Sequence, residues 1–223
     1  MATLTARNPW LDIPLEDYEG HMSLPSIGQA PMLADQLQRL LEQRSPASLA
    51  VIGCAGGNGL ERIAAGTVQR VVALDINPRY VDEARTRHAG RLPADHEFIC
   101  ADVQSVDLLF GPVDLIYAAL IFEYVDLSST LATLQRNCRP GGTLAVLLQL
   151  PNSAQPTVSP SPYRSLGALA PILRLVSPEA LRSAAAAAGF AAEDSRSIDL
   201  ASGKHFSLQV FRAAAAPTAG NRR

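Results

Sequence analysis

The chain has 223 residues, 48% of them hydrophobic and 18% charged, with a net charge of −2. That balance gives no basic surface for nucleic acid or for an anionic membrane, and it favours work on small molecules. No apolar run approaches the roughly 20 residues that span a bilayer, the opening "MATLTARNPWLDIP" lacks the apolar core of a signal peptide, and Cys54, Cys100 and Cys138 form no CxxC pair, which argues against a disulfide scaffold or structural zinc and for a reducing cytoplasm.

The first 48 residues precede any strand signal and read as a helical lid of one or two helices, the second being "QAPMLADQLQRLLEQ" with apolar residues at helical spacing. From residue 49, runs of strand length alternate with helical patterns. Strands are expected at 49 to 53, 70 to 75, 96 to 102, 113 to 120 and 143 to 150. Between them lie "NGLERIAAG", then "NPRYVDEARTRHAG" with Pro78 at a first helical position, then "DLSSTLATLQRNCRPGG" ending at a glycine pair; all three read as helices. Residues 151 to 163 are rich in Pro and Ser and read as a loop. The stretch "SPEALRSAAAAAGF" has Ser177 as cap, Pro178 at the first turn and Gly189 as stop. Two final runs separated by "SGK" read as an antiparallel hairpin closing the sheet edge, and the tail from Ala213 onward reads as disordered. The result is an α/β fold: a doubly wound, Rossmann-like sheet, mostly parallel, with an antiparallel C-terminal hairpin and an N-terminal helical cover, its main domain spanning 49 to 212.

The chemistry concentrates at "AVIGCAGGNGL", residues 50 to 60, with glycines at 53, 56, 57 and 59. Glycines after a first strand serve either a tight turn or close backbone approach to a ligand, and alone they leave the two about even. Asp75, 22 positions after Gly53 and at the end of the second strand, suits a carboxylate on the two hydroxyls of a ribose. A dinucleotide cradle would need GxGxxG, and Ala55 breaks that pattern. Asp102, at the end of the third strand, either meets the exocyclic amine of an adenine, with Val103 on its face, or caps a helix. No metal-ligating set is visible.

In their order these motifs resemble the class I S-adenosylmethionine-dependent methyltransferases: "VIGCAGGNGL", "VVALDINP", "FICADV", "VDLIYAALIFEYV" and "NCRPGGTLAVLL". The resemblance implies S-adenosyl-L-methionine as cofactor. Gly53, Cys54, Ala55 and Gly57 would pass under its methionyl and ribose portions, and Asp75 would bind the ribose, with Ile76 against adenine. Asp102 and Val103 would hold adenine, and Ala118 and Ala119 would lie near the sulfur. Val51 departs from the family, which often has an acid there. The family's small-molecule enzymes often carry an acid followed by His after strand four; here Glu123 is followed by Tyr124, so Glu123 either fixes an amine substrate or caps the next helix.

In "DYEGHM", residues 17 to 22, Tyr18 and His21 are candidates to reach cofactor or substrate from a lid, against the plainer reading of a surface turn. Asn152 and Tyr163 are offered by the later loop, whereas Lys204 and His205 read as a solvated turn. The candidates are therefore Tyr18, Glu123, Asn152 and Tyr163 for catalysis and His21 and Tyr124 for substrate. The expected activity is methyl transfer to N, O or S of a small metabolite by a monomer or homodimer. The chain is also similar to azetidine-forming synthases of the superfamily. In those the cofactor's amino nitrogen attacks its own γ-carbon to give azetidine-2-carboxylate and methylthioadenosine.

Overall fold

A computed structural model describes residues 8–64, 66–92, 95–152 and 156–214. Seven strands, β1 (Ser48–Ile52), β2 (Arg70–Asp75), β3 (Asp95–Cys100), β4 (Val113–Ala119), β5 (Cys138–Gln149), β6 (Phe190–Asp199) and β7 (His205–Ala213), form one sheet in the order β3-β2-β1-β4-β5-β7-β6. The first five run parallel, and β7 enters antiparallel between β5 and β6. Strand β1 is buried along its whole length, as a central parallel strand covered on both faces must be.

Helices α1 (Leu15–Ser23), α2 (Gln29–Arg44) and α3 (Pro78–His88) cover one face, while α4 (Leu127–Arg136) and α5 (Pro178–Ala187) cover the other. The alternation of side chains along the strands divides the core accordingly. Val51, Tyr117, Leu147 and Leu208 meet Leu37 and Leu40 of α2 on one side; Ile52, Ile116, Val146 and Phe211 meet Leu131, Leu134 and Leu181 on the other. Val51 is thus plain core, its position taken up by packing.

Three expectations need correction. "NGLERIAAG" forms only a 3-10 turn at Leu60–Arg62, because Gly57 and Gly59 stand at φ 93° and 92° and deny helical propagation. Helix α2 takes the vacant position, with Leu37 Cδ2 within 3.1 Å of where a Gly59 Cβ would be. Strand β5 starts at Cys138, ahead of the Pro-Gly-Gly, which becomes a register irregularity and not a turn. Ala213, expected to open the tail, closes β7 opposite Phe190; positions 215–223 lie outside the described residues.

Candidate functional site

The carboxyl ends of β1, β2 and β4 face one cavity, where open parallel sheets place their ligands. Its floor is the glycine loop. Gly53 (φ 71°) donates its N–H to the Leu74 carbonyl at 2.8 Å, and a Cβ there would stand 2.6 Å from Ile121 Cγ2. Only glycine leaves that space to a ligand. Asp75, 8% exposed, accepts from Ala55 N on Oδ2 and from Asn77 N on Oδ1, both at 2.9 Å. Burial raises its carboxyl above the usual range, and these backbone N–H groups work in the opposite direction. Ile76, Val103, Ile121 and Val125 supply flat apolar walls, and Asp102 stands exposed at the rim, its Oδ1 accepting from Gln104 N at 2.9 Å.

The roof comes from the N-terminus. Asn77 Nδ2 donates to the Trp10 carbonyl (2.8 Å), Arg79 Nη2 to the Leu11 carbonyl (2.8 Å) and the Tyr80 hydroxyl to the Ile13 carbonyl (3.1 Å), so the start of α3 holds residues 10–13 over the cavity. Trp10 packs edge-on against Tyr18 (5.6 Å) and Tyr124 (5.1 Å), and Tyr18 stacks on Tyr80 at 6.2 Å. These rings could enclose a cation by its attraction to their faces. A 3-10 turn at Arg164–Leu169 joins the cover through Leu166 and Leu169 against Ile13, and Ser165 Oγ donates to Asp17. Tyr163 lies directly against Gly20. In a free helix Gly→Ala gains about 1 kcal/mol; here the added methyl meets the Tyr163 phenol, and overpacking costs about 1–3 kcal/mol. Gly20→Ala is therefore expected to lower the thermal midpoint and loosen the cover, read by calorimetric unfolding; a raised midpoint would contradict that packing.

Trp10, Tyr18, Leu120 and Tyr124 also line a second chamber that adjoins the first. Leu120 is held at φ 57° at the junction, a backbone state that costs a branched residue energy and clusters at functional sites. The second chamber has an apolar body, including Leu166, Leu169 and Leu173, and a polar set from distant parts of the chain: His21, Gln29, Glu123, Gln149 and Lys204. Glu123, 3% exposed, accepts from Gln149 N on Oε1 at 2.8 Å and leaves Oε2 without a partner. Burial pushes its carboxyl up to about 7. His21, 6% exposed, has Nδ1 unpartnered, and burial followed by the nearby Lys204 charge lowers its pKa, so it is neutral at pH 7. Lys204, 3% exposed, donates to Thr157 O (2.5 Å) and Gln149 Oε1 (3.3 Å), and burial lowers its ammonium to about 8.

Of the residues singled out in the sequence, Gly53, Ala55, Asp75, Ile76, Asp102, Val103 and Ala119 line the first cavity, and Tyr18 and Tyr124 line both. Glu123 and His21 line the second chamber. Cys54 and Ala118 point into the core, and Gly57 belongs to a separate cleft beyond the loop, beside Glu19, Arg87 and His88. Asn152 lies outside both chambers and fastens the loop to the hairpin by donating to the Gly203 carbonyl; Tyr163 packs the cover. Lys204, read as a solvated turn residue, is buried, because Gly203 (φ 81°) turns the chain inward and Ser202 Oγ donates to the Ile27 carbonyl of the cover. His205 stays at the surface, 2.6 Å from Asp199. Trp10, Leu120 and Gln149 were missed; Leu120 lies inside the motif "VDLIYAALIFEYV", directly after Ala119, and Trp10, the chain's single tryptophan, was a signal. No group of residues suited to hold a metal ion occurs among the described residues.

The fold and this cavity define a Rossmann-like domain built to hold an adenosyl ligand at its carboxyl edge. Residues 50–146 match a family model described as a methyltransferase domain. No curated protein matches the sequence. Among solved structures, the N-methyltransferase NodS from Bradyrhizobium japonicum WM9, in complex with S-adenosyl-L-homocysteine, superposes with TM-score 0.68 at 18% identity, over 93% of this chain and 99% of that one. Magnesium protoporphyrin IX methyltransferase from Synechocystis PCC 6803, with the same product bound, gives 0.64 at 15% identity over 84% of each chain. The [4+2]-cyclase SpnF gives 0.61 at 16% identity over 82% of each. Over residues 50–146 the chain is similar to methyltransferase domains, and its sheet shares the fold of these structures, a resemblance that implies S-adenosyl-L-methionine as cofactor.

The first cavity fits that molecule: a glycine floor that a Cβ would fill, a buried carboxylate for a ribose diol, apolar walls for a base and an aromatic roof for a sulfonium. No helix among the described residues is long and apolar enough to cross a membrane.

Proposed function

We propose that the protein methylates a nitrogen, oxygen or sulfur atom of a small metabolite held in the second chamber. The observation that carries this is the chamber itself: a space beside the cofactor cavity, sharing four residues with it and holding a buried carboxylate with a free oxygen. Bound under the aromatic roof, S-adenosylmethionine supplies a methyl group on a sulfonium.

This chain's own residues do the rest. Asp75 and Val103 hold the adenosine, Trp10, Tyr18 and Tyr124 shut out water, and Leu120 borders both spaces. Glu123, about half ionised near pH 7, accepts the acceptor's proton. Azetidine formation would need no second chamber, so the chamber weighs toward a separate acceptor, although a fold shared with SpnF does not commit a chain to methyl transfer. A cytoplasmic role in secondary metabolism is consistent with three free cysteines, two of them buried.

The test is to incubate the purified chain with S-adenosylmethionine alone and then with mixtures of small metabolites, following products by mass spectrometry. S-adenosylhomocysteine appearing only with an acceptor supports the reading. Methylthioadenosine and a four-membered imino acid from the cofactor alone would overturn it.

A further inference from the structure

We propose that the second chamber receives its reactant as an amino carboxylate, the carboxylate on Lys204 and the amine on Glu123. The inference rests on that chamber being where the reactant sits.

Lys204 Nζ is buried among neutral partners, Thr157 O and Gln149 Oε1, and no carboxylate lies within ion-pair distance of it among the described residues. An ammonium removed from water without an anion is expensive, and a chamber that keeps one there is completed by an anionic ligand. Glu123 presents the opposite case, a buried carboxyl with Oε2 unpartnered. Among the described residues Gln149 joins the two: its N–H serves Glu123 and its amide oxygen serves Lys204. A ligand with one charge of each sign satisfies both groups at once, and no ligand with a single charge does.

His21 is neutral at pH 7 and adds no competing cation, and burial raises the hydroxyls of Tyr18 and Tyr124, the other titratable side chains of the chamber, so neither adds an anion. Met22, Val158 and the leucines give room for an apolar body, which points to an amino acid more than to a sugar acid. At Glu123 the ammonium proton passes from nitrogen to Oε2, which leaves the nitrogen a lone pair and the carboxyl neutral.

The same chemistry is carried by a separate amino acid and by the methionyl end of the cofactor. Two titrations of the full chain separate them, using wild type and the Lys204→Met and Lys204→Gln variants. Met matches the volume of Lys, and thermal melts confirm folding. First, protein loaded with S-adenosylhomocysteine is titrated calorimetrically with the twenty standard amino acids and with the decarboxylated amine of each that binds. The expected result is an amino acid whose amine binds at least tenfold more weakly, with both variants losing at least tenfold for the amino acid and less than twofold for the amine. Second, unloaded protein is titrated with S-adenosylhomocysteine and with methylthioadenosine, which lacks the amino acid. A tenfold loss in the variants for the former alone would assign the amino carboxylate to the cofactor itself, keeping the role of Lys204 and removing the separate acceptor. Variants that weaken amino acid and amine alike, or that change neither titration, overturn the proposal.

Discussion

Replacing Glu123 by Gln is expected to lower turnover about 10²- to 10⁴-fold, the usual contribution of a positioned general base. The amide keeps an oxygen for the Gln149 N–H and removes only the proton acceptor from the chamber. In the wild type the rate should rise with pH through about 7, as the carboxyl ionises, and that inflection should vanish in Glu123→Gln. Stability should move the other way. Because the folded-state value lies above the ordinary 4.5, the folded protein binds the proton more tightly than the unfolded chain does. Stability therefore falls as pH rises from 4.5 to about 7, by an amount on the order of 3 kcal/mol at 1.36 kcal/mol per pH unit. Glu123→Gln escapes this penalty and should melt at higher temperature than wild type at pH 8. A variant that retains more than a tenth of the turnover, or keeps the inflection near pH 7, would remove Glu123 from the chemistry.

Asp75→Ala should have the second-largest effect, a loss of S-adenosylhomocysteine affinity of at least 100-fold by calorimetry. Two causes add. The ribose would lose the buried carboxylate of the cavity, and the N–H groups of Ala55 and Asn77 would lose the acceptor that fixes the glycine loop. Hydrogen bonds to a charged group are worth about 1.5–3 kcal/mol each, so losing the two that the ribose hydroxyls would donate alone exceeds a hundredfold. Asp102→Ala, by contrast, removes an exposed rim carboxylate already engaged with Gln104 and should cost less than tenfold. If Asp102→Ala weakened binding more than Asp75→Ala, adenine recognition and not the ribose would dominate, and the cavity as described would be wrong.

The lining of the first cavity was largely legible in the sequence because its parts are local. A strand end, a glycine whose side chain would collide, and an acid at the next strand end each sit where chain order puts them, so Gly53, Asp75 and Val103 could be located by spacing alone. The glycine loop also misled. The loop that admits a ligand at Gly53 denies the following helix at Gly57 and Gly59, so "NGLERIAAG" collapses to a single 3-10 turn. The second chamber was legible only in part. Glu123, His21 and Tyr124 stood out as chemical types, but their meeting with Lys204 joins residues 183 positions apart from His21 at one end, and no periodicity reports such a contact. Lys204 in particular looked like a turn residue because it follows Ser202 and Gly203; the hydrogen bonds of Asn152 to Gly203 and of Ser202 to Ile27 pull that turn under the cover. Asn152 and Tyr163 stand outside both chambers for the complementary reason: polar or aromatic side chains in a cover serve its closure as readily as the reaction.

The most direct measurement uses Trp10, the single tryptophan of the chain, which lines both chambers. Titrating S-adenosylhomocysteine into the protein while following tryptophan emission should give a saturable change at one ligand per chain, abolished in Asp75→Ala. Binding detected by calorimetry with no change in Trp10 emission would place the ligand elsewhere and contradict the account.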